Sequence, residues 1–138
     1  MGTLNVLLID EAHTFQTVAK SGILIDELTN TVLLNKNVST PLPPASMSKL
    51  MTLLIVFEAL KTERISLSDK FRVSKYASKK GGSKMFLREG ELVSVENLIR
   101  GIIIHSGNDA CIVIAEGLSG TEKEFAAEMN IVAKNIGL

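Results

Sequence analysis

The run from Leu50 to Phe57 is almost wholly apolar, and it follows directly on Pro43-Pro44 and Ser46-Met47-Ser48-Lys49. Two prolines stop whatever precedes them and favour a fresh helix start. The spacing predicts a helix from Ser46 to about Leu60, in which Met47, Leu50, Met51, Leu53, Leu54, Ile55, Val56 and Phe57 leave almost no polar face. A helix that is apolar all round is buried on all sides. The rest of the chain is therefore expected to pack around it, with Lys49 at its start where solvent is scarce.

That helix start has chemical potential. Ser46 and Lys49, three residues apart, fall on one face. A serine hydroxyl is a poor nucleophile until an adjacent base takes its proton. A lysine amine is a base only when neutral, and both the positive end of the helix dipole and burial disfavour its charged form. The same helix end offers backbone N–H groups to an oxyanion. Alone, however, Ser-x-x-Lys is as compatible with an N-cap serine and a surface lysine.

The chain has 138 residues, 46% hydrophobic and 22% charged, which suits one domain with a buried core and excludes a disordered chain. Its net charge is zero, so no nucleic-acid or anionic-membrane partner is indicated. The single Cys111 excludes an internal disulfide and lies in an apolar stretch, as a buried structural thiol would. His13 and His105 are far apart and lack cysteine partners at metal spacing, so no metal site is expected. Leu4 to Ile9 is too short for a complete signal peptide, no Lys or Arg precedes it, and Asp10-Glu11 follow. Leu50 to Phe57 is too short to cross a bilayer.

Around the apolar run the chain divides into short elements. Ser21 to Asp26 and Thr31 to Asn35 read as a β-hairpin, with Asn30 suited to a left-handed turn position. Lys61 to Lys70 reads as a loop. So does Phe71 to Gly90, where Lys75, Lys79, Lys80, Lys84 and Arg88 form either a solvated loop, the favoured reading, or a rim that attracts an anion. Ser94 starts a second helix that stops at His105-Ser106-Gly107-Asn108, with Gly107 expected to make the abrupt turn. Asp109 to Leu118 is a further helix, and Gly120-Thr121-x-x-Glu124 caps a last one from Glu122 to Ile136. His105 is expected to pack or hydrogen-bond. Met47, Met51 and Met85 are expected to fill the core, and Ser48 to be a surface or supporting hydroxyl.

Ser-x-x-Lys at the head of an apolar helix and Ser106-Gly107-Asn108 on a turn between two apolar helices together say more than either alone. With PPASMSKLM, GGSKMFL, VSVENLIRGIIIHSGNDA and AEGLSG, in a stretch starting at Ala19, they make the chain closely resemble the low-molecular-mass penicillin-binding proteins, specifically the serine-type D-alanyl-D-alanine carboxypeptidases. The resemblance implies an α+β fold of the β-lactamase/transpeptidase type, a helical subdomain plus an incomplete antiparallel sheet. Residues 19–138 would be the transpeptidase-like domain and residues 1–18 an unassigned segment.

The resemblance also implies a chemistry. Ser46 matches the nucleophile acylated by the penultimate D-Ala carbonyl of a peptidoglycan stem peptide as the terminal D-Ala leaves. Lys49 matches the general base, and Ser106 the serine that relays a proton to the leaving amine. Asn108 matches the residue whose amide holds the substrate backbone. β-Lactams would trap Ser46, and no cofactor is implied. The location implied is periplasmic or extracytoplasmic, with cytoplasmic retention the alternative for a chain without a complete signal peptide. No Lys-Thr-Gly follows Asn108, although in the family that triad recognises the substrate carboxylate. The chain is therefore expected to be an N-terminal portion of such an enzyme. Two rival readings follow. One is a non-catalytic remnant that self-associates through open sheet edges or needs a complementing chain, and the other is a β-lactamase-like hydrolase.

Overall fold

A computed structural model describes residues 16–138, so the Leu4 to Ile9 run and His13 lie outside the described residues. The described residues form five α-helices and two two-stranded antiparallel sheets, in two compact units that divide between Pro43 and Pro44.

In the first unit β1 (Gly22–Ile25) pairs with β2 (Val32–Lys36) in the register Ile23↔Asn35 and Leu24↔Leu34, with an irregularity between Leu24 and Ile25. The connection closes on Asp26, whose Oδ1 accepts hydrogen bonds from the backbone N–H groups of Leu28 (3.0 Å) and Thr29 (2.8 Å) and from the Thr29 hydroxyl (2.9 Å). Donation from Thr29 holds the Asp26 carboxyl below its ordinary value. Asn30 takes the left-handed conformation, φ 55°, that the sequence anticipates. The hairpin exposes Ile23, Leu24, Ile25 and Leu33.

The second unit, Pro44–Leu138, begins with a 3-10 turn at Ala45–Ser48 and continues into α1 (Lys49–Lys61). Next come β3 (Lys70–Arg72), α2 (Lys75–Lys79), β4 (Leu92–Ser94), α3 (Val95–His105), α4 (Asn108–Ser119) and α5 (Glu122–Asn135). Hydroxyl caps set three of the helix starts. Ser74 accepts from the Ala77 N–H, Ser94 from Asn97 and Thr121 from Glu124, each filling a donor the first turn leaves free. The stretch read as one loop, Phe71 to Gly90, instead holds α2 and contributes to β3, which pairs with β4 through Phe71↔Val93. That pairing joins residues far apart in sequence and has no local signal.

The central helix is α4 and not α1. Ile112, Val113, Ile114 and Ala115 are four consecutive buried residues, so α4 is enclosed through more than a full turn. It packs against α1, α2, α3 and α5. Ile55 and Val56 of α1, Leu98 and Ile102 of α3, and Phe125 of α5 complete the core with Val73, Ala77 and Val93. α1 is buried on one side only. Leu50 is 68% exposed and Phe57 48%, because no element among the described residues of this unit covers their face. Met47 is exposed as well, whereas Met51 and Met85 pack against the core as expected.

Candidate active site

Ser46 lies in the 3-10 turn and Lys49 is the first residue of α1. In 3-10 geometry residues three apart eclipse one another, which sets the two side chains side by side. Lys49 Nζ is 3.4 Å from Ser46 Oγ and 3.1 Å from Ser106 Oγ, within hydrogen-bonding distance of both. One amine therefore bridges two hydroxyls from distant parts of the sequence. Ala45, just before Ser46, has φ 49°, an unfavourable conformation for a residue with a Cβ. Ser48 turns back, its hydroxyl donating to the Ala45 carbonyl at 2.9 Å. The Met47 N–H donates to the Pro44 carbonyl at 3.0 Å, so it is not free to meet an oxyanion. Lys49 is half-buried rather than shut away from solvent, since the helix it starts has an open side.

Ser106 reaches the amine through a left-handed kink at the end of α3. The kink is at Ser106 itself, φ 52°, and not at Gly107, whose φ is −64°. Gly107 is needed for space. Its N–H donates to the Gly101 carbonyl at 3.1 Å, and a Cβ there would meet that carbonyl at 3.2 Å and Asp109 Oδ1 at 3.1 Å. Asn108 opens α4, with its backbone N–H on the Ser83 carbonyl (2.7 Å) and its side-chain Nδ2 on the Gly81 carbonyl (2.8 Å). Gly82 (φ 80°) passes so close that a Cβ would stand 2.6 Å from Asn108 Nδ2.

Two recesses flank the pair. A cleft of about 460 Å³ runs past Ser46, Lys49 and Asn108 to an apolar wall of Ile112, Ala115 and Phe125. A smaller groove of about 290 Å³ reaches Ser46, Lys49 and Ser106 from the side of Leu50, Leu53 and Ile103. Of the basic cluster only Lys80 lines the larger cleft, where it accompanies Glu122 at 3.8 Å and donates to the Tyr76 hydroxyl at 3.1 Å. That hydrogen bond, aided by the charge of Glu122, raises the Lys80 pKa. Cys111 lines the cleft too. Burial pushes its thiol up to about 11, reinforced by the charge of Asp109 and opposed by that of Lys49 and by a hydrogen bond with Thr52. His105 is exposed and does not pack into the core.

The residue that sequence reasoning missed is Asp109. It is 1% exposed, and its carboxylate accepts from the backbone N–H groups of Met85 (3.0 Å), Leu87 (3.1 Å) and Ala110 (2.9 Å). The only signal for it in the sequence is an acid in the first turn of an otherwise apolar helix, which reads equally as a favourable dipole partner.

An amine between two hydroxyls, beside an amide and an open cleft, is an arrangement for acyl transfer to serine. The profile of peptidase family S11, D-alanyl-D-alanine carboxypeptidase, matches residues 9–138. The chain belongs to the D-alanyl-D-alanine carboxypeptidase family. The D-alanyl-D-alanine carboxypeptidase DacF of Bacillus subtilis is 49% identical over 120 residues, which is 87% of this chain and 31% of that protein. The crystal structure of the D-alanyl-D-alanine carboxypeptidase DacD of Francisella tularensis superposes with a TM-score of 0.81 at 36% identity, over 98% of this chain and 32% of that one. Penicillin-binding protein D2 of Listeria monocytogenes, solved in its ampicillin-bound form, gives a TM-score of 0.72 at 26% identity, over 87% of this chain and 47% of that one. The fold is thus α+β of the penicillin-binding, transpeptidase-like type. The chain spans about a third of the length of the first two relatives. No helix among the described residues is long and apolar enough to cross a membrane.

Proposed function

We propose that the chain carries the acylating half of a serine-type D-Ala-D-Ala carboxypeptidase, with peptidoglycan stem peptides as substrate. The observation that carries the reading is the Lys49 nitrogen within 3.4 Å of Ser46 Oγ and 3.1 Å of Ser106 Oγ. Lys49 Nζ, as general base, takes the Ser46 proton as Oγ bonds to the penultimate D-Ala carbonyl carbon. The carbon–nitrogen bond to the terminal D-Ala then breaks, and the proton passes from Lys49 through the Ser106 hydroxyl to the leaving amine. Asn108, fixed at two points, holds the substrate backbone. Water then attacks the ester and frees Ser46. The family membership and the ampicillin-bound Listeria relative support β-lactams as acylating mimics of the substrate. Family likeness also supports an extracytoplasmic site of action.

The test is to incubate the 138-residue chain with a fluorescent penicillin and map the adduct by peptide mass. Ser46 is the expected site, with labelling abolished in Ser46→Ala and in Lys49→Met. A label elsewhere, or one that survives Lys49→Met, overturns the assignment. These residues contain no Lys-Thr-Gly, so labelling is expected to be slower than for a relative that has one. Rapid turnover of the penicillin would instead favour a β-lactamase-like hydrolase.

A second reading rests on the exposed apolar side chains Ile23, Ile25 and Leu33 of the hairpin and Leu50 and Phe57 of α1. It is a non-catalytic chain that self-associates through its open sheet edges or takes up a complementing chain. Sedimentation separates the two, since a compact monomer that labels at Ser46 excludes it.

A further inference from the structure

The segment Gly81 to Leu87 meets the start of α4 at every second residue. The Gly81 carbonyl accepts from Asn108 Nδ2 and the Ser83 carbonyl from the Asn108 N–H. The Met85 and Leu87 N–H groups donate to Asp109 Oδ1 and Oδ2. Two adjacent residues of one helix thus hold four alternate residues of one segment. Phe86, between the two N–H groups that Asp109 holds, is left-handed (φ 62°) and 76% exposed. An aromatic residue keeps that backbone only where its surroundings over-determine it. Here the constraint is one buried carboxylate gripping the chain on both sides of the strained residue. No ion pair to Asp109 occurs among the described residues, so those backbone donors, with the Ala110 N–H, are its partners. Met85 also lies against Gly101 of α3, five residues before Ser106, so the segment touches both helices that meet at the Ser106–Asn108 turn.

We infer that Asp109 is a positioning residue for the acylation reaction. By pinning Met85 and Leu87 it keeps Phe86 left-handed, and so holds the Gly81 carbonyl where it orients the Asn108 amide for substrate. This rests on the function proposed above. Asp109 touches no substrate and acts only through the 81–87 segment and Asn108.

The decisive variant is Asp109→Asn, which is nearly isosteric but turns an NH₂ toward one of the N–H groups the carboxylate accepted. Three readouts separate positioning from general support of the fold. In nuclear magnetic resonance, backbone exchange at Met85 or Leu87 is expected to rise about tenfold, and the Asn108 side-chain amide to shift, while core amides such as Val113 stay protected. In penicillin labelling, the saturation constant is expected to rise about tenfold with little change in the limiting rate. On an Asn108→Ala background, Asp109→Asn is expected to add no further loss, because its route of action is gone. Adding Phe86→Gly to Asp109→Asn should recover labelling, since glycine takes φ 62° without strain.

An Asn108 amide that does not move in Asp109→Asn overturns the inference. So does a loss as large on the Asn108→Ala background as on the parent. If Asp109→Asn does not fold, the Phe86→Gly double variant decides, and a folded double variant with an undisturbed Asn108 amide overturns the inference equally. A parent chain that takes no label defeats the proposed function instead, and the amide readout still judges the clamp.

Discussion

Gly117 in the last turns of α4 sets two opposing effects against each other. In a helix interior, glycine to alanine gains about 1 kcal/mol from propensity alone. A Cβ at Gly117, however, would overlap three ring carbons of Phe71. The ring belongs to β3, held in register against Val93 of β4, and it packs on the core, so it cannot swing away as a unit. Overpacking of this kind costs about 1–3 kcal/mol. Gly117→Ala is therefore expected to destabilise by about 1 kcal/mol net, which for a unit of this size lowers Tm by about 4–8 °C. Gly101→Ala is the control. It carries the same propensity gain, but its Cβ meets the thioether of Met85, an unbranched side chain that can re-rotamerise, so its Tm should change by only a degree or two. Thermal melts followed by circular dichroism and calorimetry read both. The cycle closes with Phe71→Ala, which removes all three of those carbons. Once they are gone, Gly117→Ala should become stabilising by about 1 kcal/mol. A Gly117→Ala chain that melts at or above the parent, or a sign that does not reverse on the Phe71→Ala background, refutes the argument.

Two further outcomes follow from titratable groups. Burial raises the Cys111 thiol from 9.0 to about 11, so the folded chain holds its proton more firmly than the unfolded one. At pH 7.5 its thiolate is about a hundredfold scarcer, so iodoacetamide should alkylate the urea-unfolded chain about that much faster, and a plateau of the folded-state rate near pH 9 would reject the shift. Glu128 is held below 4.5 chiefly by the hydrogen bond from Arg64 (2.9 Å), helped by the Ser119 hydroxyl and opposed by burial. Its folded pKa is depressed, so its stabilisation is present above 4.5 and is lost as pH falls through the folded value. Glu128→Gln should cost about 0.5–1 kcal/mol at pH 7 and converge on the parent in acid, and an equal deficit at pH 7 and pH 3 would contradict that sign.

The features legible in the sequence are the local ones. A hydroxyl followed three residues later by the N–H it caps is written in a few letters, which is why the starts of α3 and α5 were predictable from Ser94 and Thr121. The hairpin and the apposition of Ser46 and Lys49 depend on short spacings of the same kind. The sequence points to Gly107 for the abrupt turn after α3, because glycine tolerates unusual backbone at least cost. The structure uses Ser106 there, which aims its hydroxyl at Lys49, and keeps Gly107 for the close approach to the Gly101 carbonyl. The β3–β4 pairing, Asp109's grip on Met85 and Leu87, and the meeting of Lys49 with Ser106 all join residues distant in the chain. No local pattern encodes them.

The misplacement of the central helix has a different cause. Periodicity reports how much of a helix is apolar, and by that measure α1 has almost no polar face while α4 is only mostly apolar. Burial depends on which neighbours the connections can bring alongside. α4 is flanked in sequence by α3 and α5 through short turns, and packing against both follows from that connection length. α1 is joined to the next helix by a longer segment holding a strand, so its neighbours come from distant sequence and cover one side. A helix without a polar face specifies that covering it lowers the free energy; it does not specify the cover. The exposed Leu50 and Phe57 therefore report an unmet demand of the sequence, on the helix that begins at the Ser46–Lys49 pair. Any element that meets that demand would also wall the groove leading to Ser46, Lys49 and Ser106 from the side of Leu50 and Leu53.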